Sequence, residues 1–142
     1  MQATTEKAIQ LYDSTYDEKT DFVERKLFAP MRAVLAANAG HIHGVAVDLA
    51  ISTGKGLSLY KGKDCKVFGV DLSPPALHSA KLRATFMGID FNPTVANVAT
   101  IPLPANTADV VSCQLGFCTF EDPEAVVREV LRVAKKDASV LL

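Results

Sequence analysis

The stretch Val45-Ala-Val-Asp48-Leu-Ala50-Ile-Ser52-Thr-Gly54-Lys-Gly56 decides how the rest of this chain is read. A short apolar run opening at Gly44 ends in an acid and gives way to small residues from Ile51 to Gly56. That is the pattern of a buried strand turning through a tight loop into a helix. A second run, Lys66-Val-Phe-Gly-Val-Asp71, also closes on an acid. After it, Ser73 is placed as an N-cap with Pro74 as first helical residue, and Gly88 ends a helix expected to reach Met87.

Downstream, a weaker strand is expected near Asn92 to Val98, and Pro102 and Pro104 impose an extended loop before the strand Ala108 to Cys113. A helix should follow from Pro123 to Lys135, its apolar stripe formed by Val126, Val127, Val130, Leu131 and Ala134. Ala138 to Leu142 reads as a strand. Upstream, Thr4 to about Asn38 has helical spacing: Ala8, Leu11 and Tyr12 share a face, and Phe22, Leu27, Met31, Val34 and Leu35 recur after them. Pro30 should divide this region into separate helices.

Strands alternating with helices predict a doubly wound α/β domain, a mostly parallel sheet joined by right-handed crossovers and covered on both faces. Residues 1–43 form an N-terminal helical lid region and residues 44–142 the core, together one structural unit. In such a sheet the ligand sits beyond the carboxyl ends of the strands, at the switch in strand order.

Composition narrows the function classes. With 142 residues and a formal net charge of -1, acids and bases interspersed, the chain carries neither a nucleic-acid nor an anionic-membrane footprint. No apolar run is long enough to cross a bilayer and the first residues lack a signal-peptide pattern, so the cytosol is the expected compartment. Cys65, Cys113 and Cys118 are odd in number and form no CxxC pair, which reads as reduced thiols. His41 and His43 lack a third ligand at suitable spacing, so no metal is assigned. Lys55 is not part of a GxxxxGK[ST] loop, and the missing GxGxxG turn argues against a nicotinamide enzyme.

The acid-led, glycine-bearing turn from Val45 to Gly56 resembles the first motif of class I S-adenosylmethionine-dependent methyltransferases. Asn97-Val-Ala-Thr-Ile-Pro102-Leu-Pro104 through Val111 is similar to the loop and fourth strand of the subgroup active in ubiquinone and menaquinone biosynthesis, and Ser112 to Cys118 and Asp122 to Val133 follow the same pattern. The resemblance spans roughly Gly44 to Leu142. It implies a Rossmann-like sheet of order 3-2-1-4-5, with the family's final two strands absent. It implies S-adenosylmethionine as cofactor and a small molecule as methyl acceptor, the methyl group moving by in-line displacement with positioning and water exclusion supplying most of the rate. By the same resemblance, Ala50, Ser52 and Gly54 belong to the methionine end of the cofactor, Asp48 to that charged end or to the loop that holds it, Asp71 to the ribose, Leu72 to the cofactor site, Asn97 and Val98 to the adenine, Gln114 through its backbone to the methionine group, and Tyr16 to a lid. No residue is an obvious general base, and the catalytic residues are unassigned.

The chain departs from the family pattern at four places. Ala50 and Ser52 stand where the family places glycine, so a positive φ there would cost roughly 1 kcal/mol or more of backbone strain at each. Asn97 replaces an acid, and its amide can still accept through the carbonyl oxygen. Lys135-Lys-Asp-Ala138 replaces a proline-glycine-glycine turn. The sheet stops in its fifth strand, so the edge at Ser139-Val-Leu-Leu would invite pairing with another copy, or the chain is a fragment. The alternative function is therefore a catalytically inactive or weakly cofactor-binding interaction module built on the same fold.

Overall fold

The computed structural model describes residues 22–142. A π-helical turn, Glu24–Phe28, leads into helix α1, Ala29–Asn38. Pro30 stands at the start of α1 directly after the π-helical turn, in a helical path unbroken from 22 to 38, so it marks the change from π to α geometry instead of separating two helices. The part of the helical expectation that falls on residues 4–21 lies outside the described residues, as does Tyr16.

Five strands form one parallel sheet in the order β3-β2-β1-β4-β5. They are β1, Gly44–Leu49; β2, Cys65–Asp71; β3, Asp90–Val95; β4, Ala108–Ser112; and β5, Ala134–Leu141. This is the expected order, and it puts the switch point between β1, from which the chain winds one way, and β4, from which it winds the other.

The pleat sorts the strand residues into two cores. Ala46, Val67 and Val110 pack under helix α2, Pro74–Met87, together with Leu57, Tyr60, Leu77, Ala80, Ala84 and Phe91. Val47, Leu49 and Val111 face the other way and pack with Ile101 and with Val126, Val130 and Val133 of helix α3, Pro123–Val133. Asp48 shares the face of Ala46 and Ser112 that of Val110, so both side chains point to the first layer, and their register pairing sets them side by side.

Helix α2 ends as expected at both termini. Ser73 Oγ accepts from Ala76 N at 3.3 Å, Pro74 and Pro75 open the first turn, and Gly88 at φ 71 lets Ile89 N reach Ala84 O at 2.9 Å. Asp122 caps α3 through Ala125 N at 2.9 Å.

Three expectations need correction. The loop after β1 leads into a 3-10 turn, Lys55–Tyr60, and not into an α-helix. Gly54 in left-handed geometry and Gly56 leave only a few residues before Gly62, too few for a stable longer helix. The stripe of α3 is Val126, Val130 and Val133, while Leu131 is 68% exposed, because the i, i+4, i+7 row points at the sheet and position 131 is rotated away from it. Strand β5 starts at Ala134: the register passes from Ala108↔Ala134 to Val110↔Ser139, so residues 135–138 bulge out where a glycine turn was expected to be replaced. Lys135 Nζ returns to Asp109 Oδ1 at 2.9 Å, and Asp109 Oδ2 accepts from Val45 N at 2.8 Å, tying β5 across β4 to β1. These contacts hold the Asp109 carboxyl below the usual carboxylate range, the Val45 amide first and Lys135 second.

Candidate functional site

The site is built where β1 and β4 part. The loop from Ala50 to Gly54 leaves β1, and Ala50 and Ser52 both adopt left-handed backbone, at φ 52 and φ 55, with Gly54 following at φ 79. This is the conformation glycine adopts freely and in which a Cβ crowds its neighbouring backbone. Leu115, just past β4, is left-handed too, at φ 68. Three of the four non-glycine residues with positive φ among the described residues thus gather at the carboxyl ends of β1 and β4, where strain marks a functional loop. The fourth, Asn106, lies in the loop before β4.

Asp71 organises that loop from β2. Its Oδ2 accepts from Ser52 N at 2.8 Å and its Oδ1 from Ser73 N at 3.0 Å, so one carboxylate binds the loop after β1 to the start of α2. Arg83 of α2 adds a second tie, Nε to Thr53 O at 3.2 Å. Gly54 packs against Ala80, and a Cβ there would meet Ala80 Cα at 3.0 Å. Leu72 is half-buried between Asp71 and Ser73.

Asp48 is 1% exposed. It sits in a buried polar cluster: Tyr60 Oη and Ser112 Oγ lie 2.5 Å apart, and Gln114 Nε2 donates to Asp48 Oδ2 at 3.2 Å and to Gly56 O at 3.1 Å. Burial pushes the Asp48 carboxyl up to about 7, against the opposing pull of hydrogen bonds from Tyr60, Ser112 and Gln114 and of the Arg32 charge on α1. Arg32 is itself paired with Glu24. Tyr60 rises well above its ordinary value, first through burial and then through the Asp48 charge.

Opposite this cluster, Gly116 comes so close to the loop that a Cβ on it would lie 2.8 Å from Ala50 Cβ and 3.2 Å from Cys113 Sγ. The Ala50 methyl therefore narrows the crevice between β1 and β4. Buried Cys113 is driven up to about 12 by desolvation and by Asp48, which makes it a packing group and not a nucleophile.

Asn97 and Val98 follow β3. Asn97 is exposed and turns its Oδ1 onto Ala99 N at 2.8 Å, so the side chain caps its own loop, while Val98 packs on the α3 core. Glu129 and Arg132 hold the next stretch: Glu129 Oε1 accepts from Ile101 N at 2.7 Å, and Arg132 donates to Ile101 O and Leu103 O, each at 2.9 Å.

The structure thus gathers Asp48, Ala50, Ser52, Gly54, Asp71, Leu72 and Gln114 around the ends of β1, β2 and β4, and sets Asn97 and Val98 on the loop after β3. Tyr60, Ser112 and Gly116 belong to the same site and were not singled out from the sequence. Strand alternation flags Ser112 as a neighbour of Asp48, but a tyrosine in an unforeseen 3-10 turn carries no local signal. His41 and His43 stack on each other with ring centroids 4.8 Å apart, both exposed. Among the described residues no three His, Cys, Asp or Glu side chains converge as metal ligands, and no helix is long and apolar enough to cross a membrane. A concavity of about 600 Å³ lies at the opposite, amino end of the sheet, among Gly44, Lys63, Cys65, Gly88 and Asp90.

Residues 47–142 match a family described as methyltransferase domain. The chain is similar to demethylmenaquinone methyltransferase of Thermus thermophilus, at 32% identity over 89 residues, which is 61% of this chain and 40% of that protein. Among solved structures it superimposes on a SAM-dependent methyltransferase from Aquifex aeolicus with a TM-score of 0.72 at 23% identity, covering 94% of this chain and 71% of the other. It superimposes on a geranyl diphosphate methyltransferase in complex with SAM with a TM-score of 0.71 at 21% identity, covering 82% and 48%. These superpositions speak for the fold. The chain spans about 40% of the length of the curated relatives it matches.

Proposed function

This chain belongs to the methyltransferase-domain family, a class I Rossmann-like group, and from that premise we propose that it binds S-adenosylmethionine and serves methyl transfer to a small-molecule acceptor. The observation that carries the reading is the loop after β1, strained at Ala50 and Ser52 and pinned to Asp71 by the Ser52 amide. A backbone held out of its preferred conformation by a carboxylate from the neighbouring strand is a pre-shaped cradle.

The donor and acceptor set suits the cofactor. S-adenosylmethionine is cationic at its sulfonium and ammonium, and its ribose offers hydroxyl donors, while the site presents the carboxylates of Asp48 and Asp71 at adjacent strand ends. Each Asp71 oxygen keeps a lone pair beyond the one given to Ser52 or Ser73, so the group can hold the loop and take a ribose hydroxyl. Asp48, shielded from solvent, acts on the methionine end through Gln114 and the loop. Asn97 and Val98 flank the adenine, with the Asn97 Nδ2 donors outside the cap that occupies Oδ1. When bound, the cofactor supplies an activated methyl group. The chain's residues hold the cofactor's two ends and keep water from the β1–β4 crevice. Restricting both partners to one geometry is the main source of rate in such a displacement.

The Ala50 methyl against Gly116 favours a second reading, a module of this fold that binds the cofactor weakly or not at all. Calorimetric titration with S-adenosylmethionine and with S-adenosylhomocysteine separates the two. Binding at micromolar to sub-millimolar ligand supports the first reading, and no heat at millimolar ligand overturns it. The outer edge of β5 has no strand partner among the described residues, and we propose that it pairs with a second copy. Sedimentation that finds a monomer at all concentrations would remove that proposal.

A further inference from the structure

The loop after β3 carries Asn97 and Val98, the two residues assigned above to the adenine, and it is fastened at both ends. At its start Ala96 N donates to Asp71 O at 3.1 Å, the main chain of the residue assigned to the ribose. At its end Ile101 is 3% exposed, and side chains of α3 take both of its main-chain polar groups. Ile101 N donates to Glu129 Oε1 at 2.7 Å, and Ile101 O accepts from Arg132 Nη2 at 2.9 Å. Arg132 Nη1 goes on to Leu103 O at 2.9 Å. Between the fastenings, residues 97–100 close on themselves as a turn, through Thr100 N on Asn97 O at 2.9 Å and Ala99 N on Asn97 Oδ1 at 2.8 Å.

An ion pair one turn apart on a helix surface ordinarily contributes little and touches nothing beyond its own helix. This pair is turned into the loop instead. Glu129 Oε2 and Oε1 accept from Arg132 Nε and Nη2 at 2.8 and 2.6 Å, which holds the guanidinium in one plane and aims its other N–H groups at the two carbonyls. Leaving the buried Ile101 N–H and C=O unpaired would be costly, so the loop cannot swing off α3 while the pair is intact. An ammonium carries the same charge but not the planar fork, so lysine cannot reproduce the arrangement.

We propose that Glu129 and Arg132 are positioning residues for base recognition, fixing the 97–100 turn so that Asn97 and Val98 present one unchanging edge to the adenine. The inference rests on the cofactor reading above and adds that selectivity for the base is set from α3, 28 to 31 positions downstream of Ile101. Adenine offers an acceptor at N1 and an amino donor at C6, whereas hypoxanthine offers a donor at N1 and a carbonyl at C6. A fixed polar edge that satisfies one base opposes the other, and a loose edge re-aims to accept both.

The test compares S-adenosylhomocysteine with S-inosylhomocysteine, which share the sugar and the amino-acid tail and differ in the base. The full chain and its Arg132→Lys and Glu129→Gln variants are titrated with both, and thermal unfolding records the stability of each. The unaltered chain should prefer S-adenosylhomocysteine by at least about tenfold, the scale of one hydrogen bond gained or opposed. In Arg132→Lys, S-adenosylhomocysteine should weaken about tenfold while S-inosylhomocysteine stays within about twofold, so the preference collapses. Glu129→Gln keeps an acceptor for Ile101 N and should move the same way by about threefold.

Variants that lose Tm but keep the full preference would show that the pair only ties a loop to a helix, and the proposal is refuted. An unaltered chain that binds both ligands within about threefold of each other refutes it too. Where a variant fails to fold, amide exchange in the unaltered chain decides: Ile101 N–H should gain protection from S-adenosylhomocysteine and not from S-inosylhomocysteine, and equal protection by both overturns the idea. If neither ligand binds the unaltered chain, the cofactor reading itself falls and this proposal with it, an outcome distinct from binding without preference.

Discussion

Replacing Asp48 by asparagine should make the protein more stable at pH 8 while weakening its hold on a cationic ligand. Asp48 is 1% exposed and faces the hydroxyls of Tyr60 and Ser112 and the amide of Gln114, all neutral, with Arg32 acting from α1. Burial lifts its carboxyl from an ordinary 3.8 to about 7. At about 1.4 kcal/mol per pH unit, that displacement corresponds to an upper bound of about 4 kcal/mol. The sign follows from proton counting. Between pH 4 and 7 the folded chain holds a proton on Asp48 that the unfolded chain has released, so stability falls as pH rises through that window and levels off above 7. Asp109 and Glu129, held below the usual carboxylate range, work in the opposite direction and lose their contribution only as pH falls further. Urea unfolding from pH 4 to 8 should therefore show the unaltered chain declining across the window. Asp48→Asn should be flat there and more stable by about 2–4 kcal/mol at pH 8, since an amide of the same shape carries no charge, accepts from Gln114 through Oδ1 and donates through Nδ2 to the Tyr60 and Ser112 hydroxyls, which can rotate to accept. A flat profile for the unaltered chain, or an asparagine variant less stable at pH 8, would refute the argument that desolvation dominates at Asp48.

Three further outcomes are expected. The double variant Ala50→Gly, Ser52→Gly relieves left-handed strain of about 1 kcal/mol per residue, partly offset by the greater entropy of unfolded glycine. Its Tm should rise by about 3 °C and its affinity for S-adenosylhomocysteine should increase; a lower Tm in thermal unfolding would count against the strain. Gly69→Ala drives a methyl to within 2.4 Å of the Phe91 ring and 3.1 Å of Ile51 Cδ1, inside a central strand, and chemical denaturation should find a loss of about 1–3 kcal/mol. Ser73→Ala removes the cap on Ala76 N and should lower stability by about 1 kcal/mol in the same assay, with the larger local effect seen as faster amide exchange in the first turn of α2.

Much of this architecture is local in origin and so was legible in the sequence. The two apolar runs that end in Asp48 and Asp71, the Ser73-Pro74 start and Gly88 stop of α2, and the Pro102-Pro104 loop each follow from a backbone preference or a side chain bonding to its own neighbours. Their alternation fixes a parallel α/β sheet, and the resemblance supplied its strand order. Leu131 was misread because the helical period alone leaves several faces open, and the sheet selects the one through Val126, Val130 and Val133. The 3-10 turn at Lys55 to Tyr60 was missed because the apolar residues Leu57, Leu59 and Tyr60 fit a short helix of either kind.

The sequence by itself determined the fold class, the switch point through the resemblance, and the placing of Asp48 and Asp71 at the ends of apolar runs with Ala50 and Ser52 in the turn after the first, because strand and turn signals are each local to a few residues. Only the tertiary structure decided what they meet. That Asp71 holds the Ser52 amide, that Ala50 abuts Gly116, and that Gln114 spans the crevice to Asp48 and Gly56 are contacts between residues 19 to 66 positions apart. Such contacts depend on how strands are laid side by side, a long-range choice made by burial of the whole sheet, and no local preference encodes them.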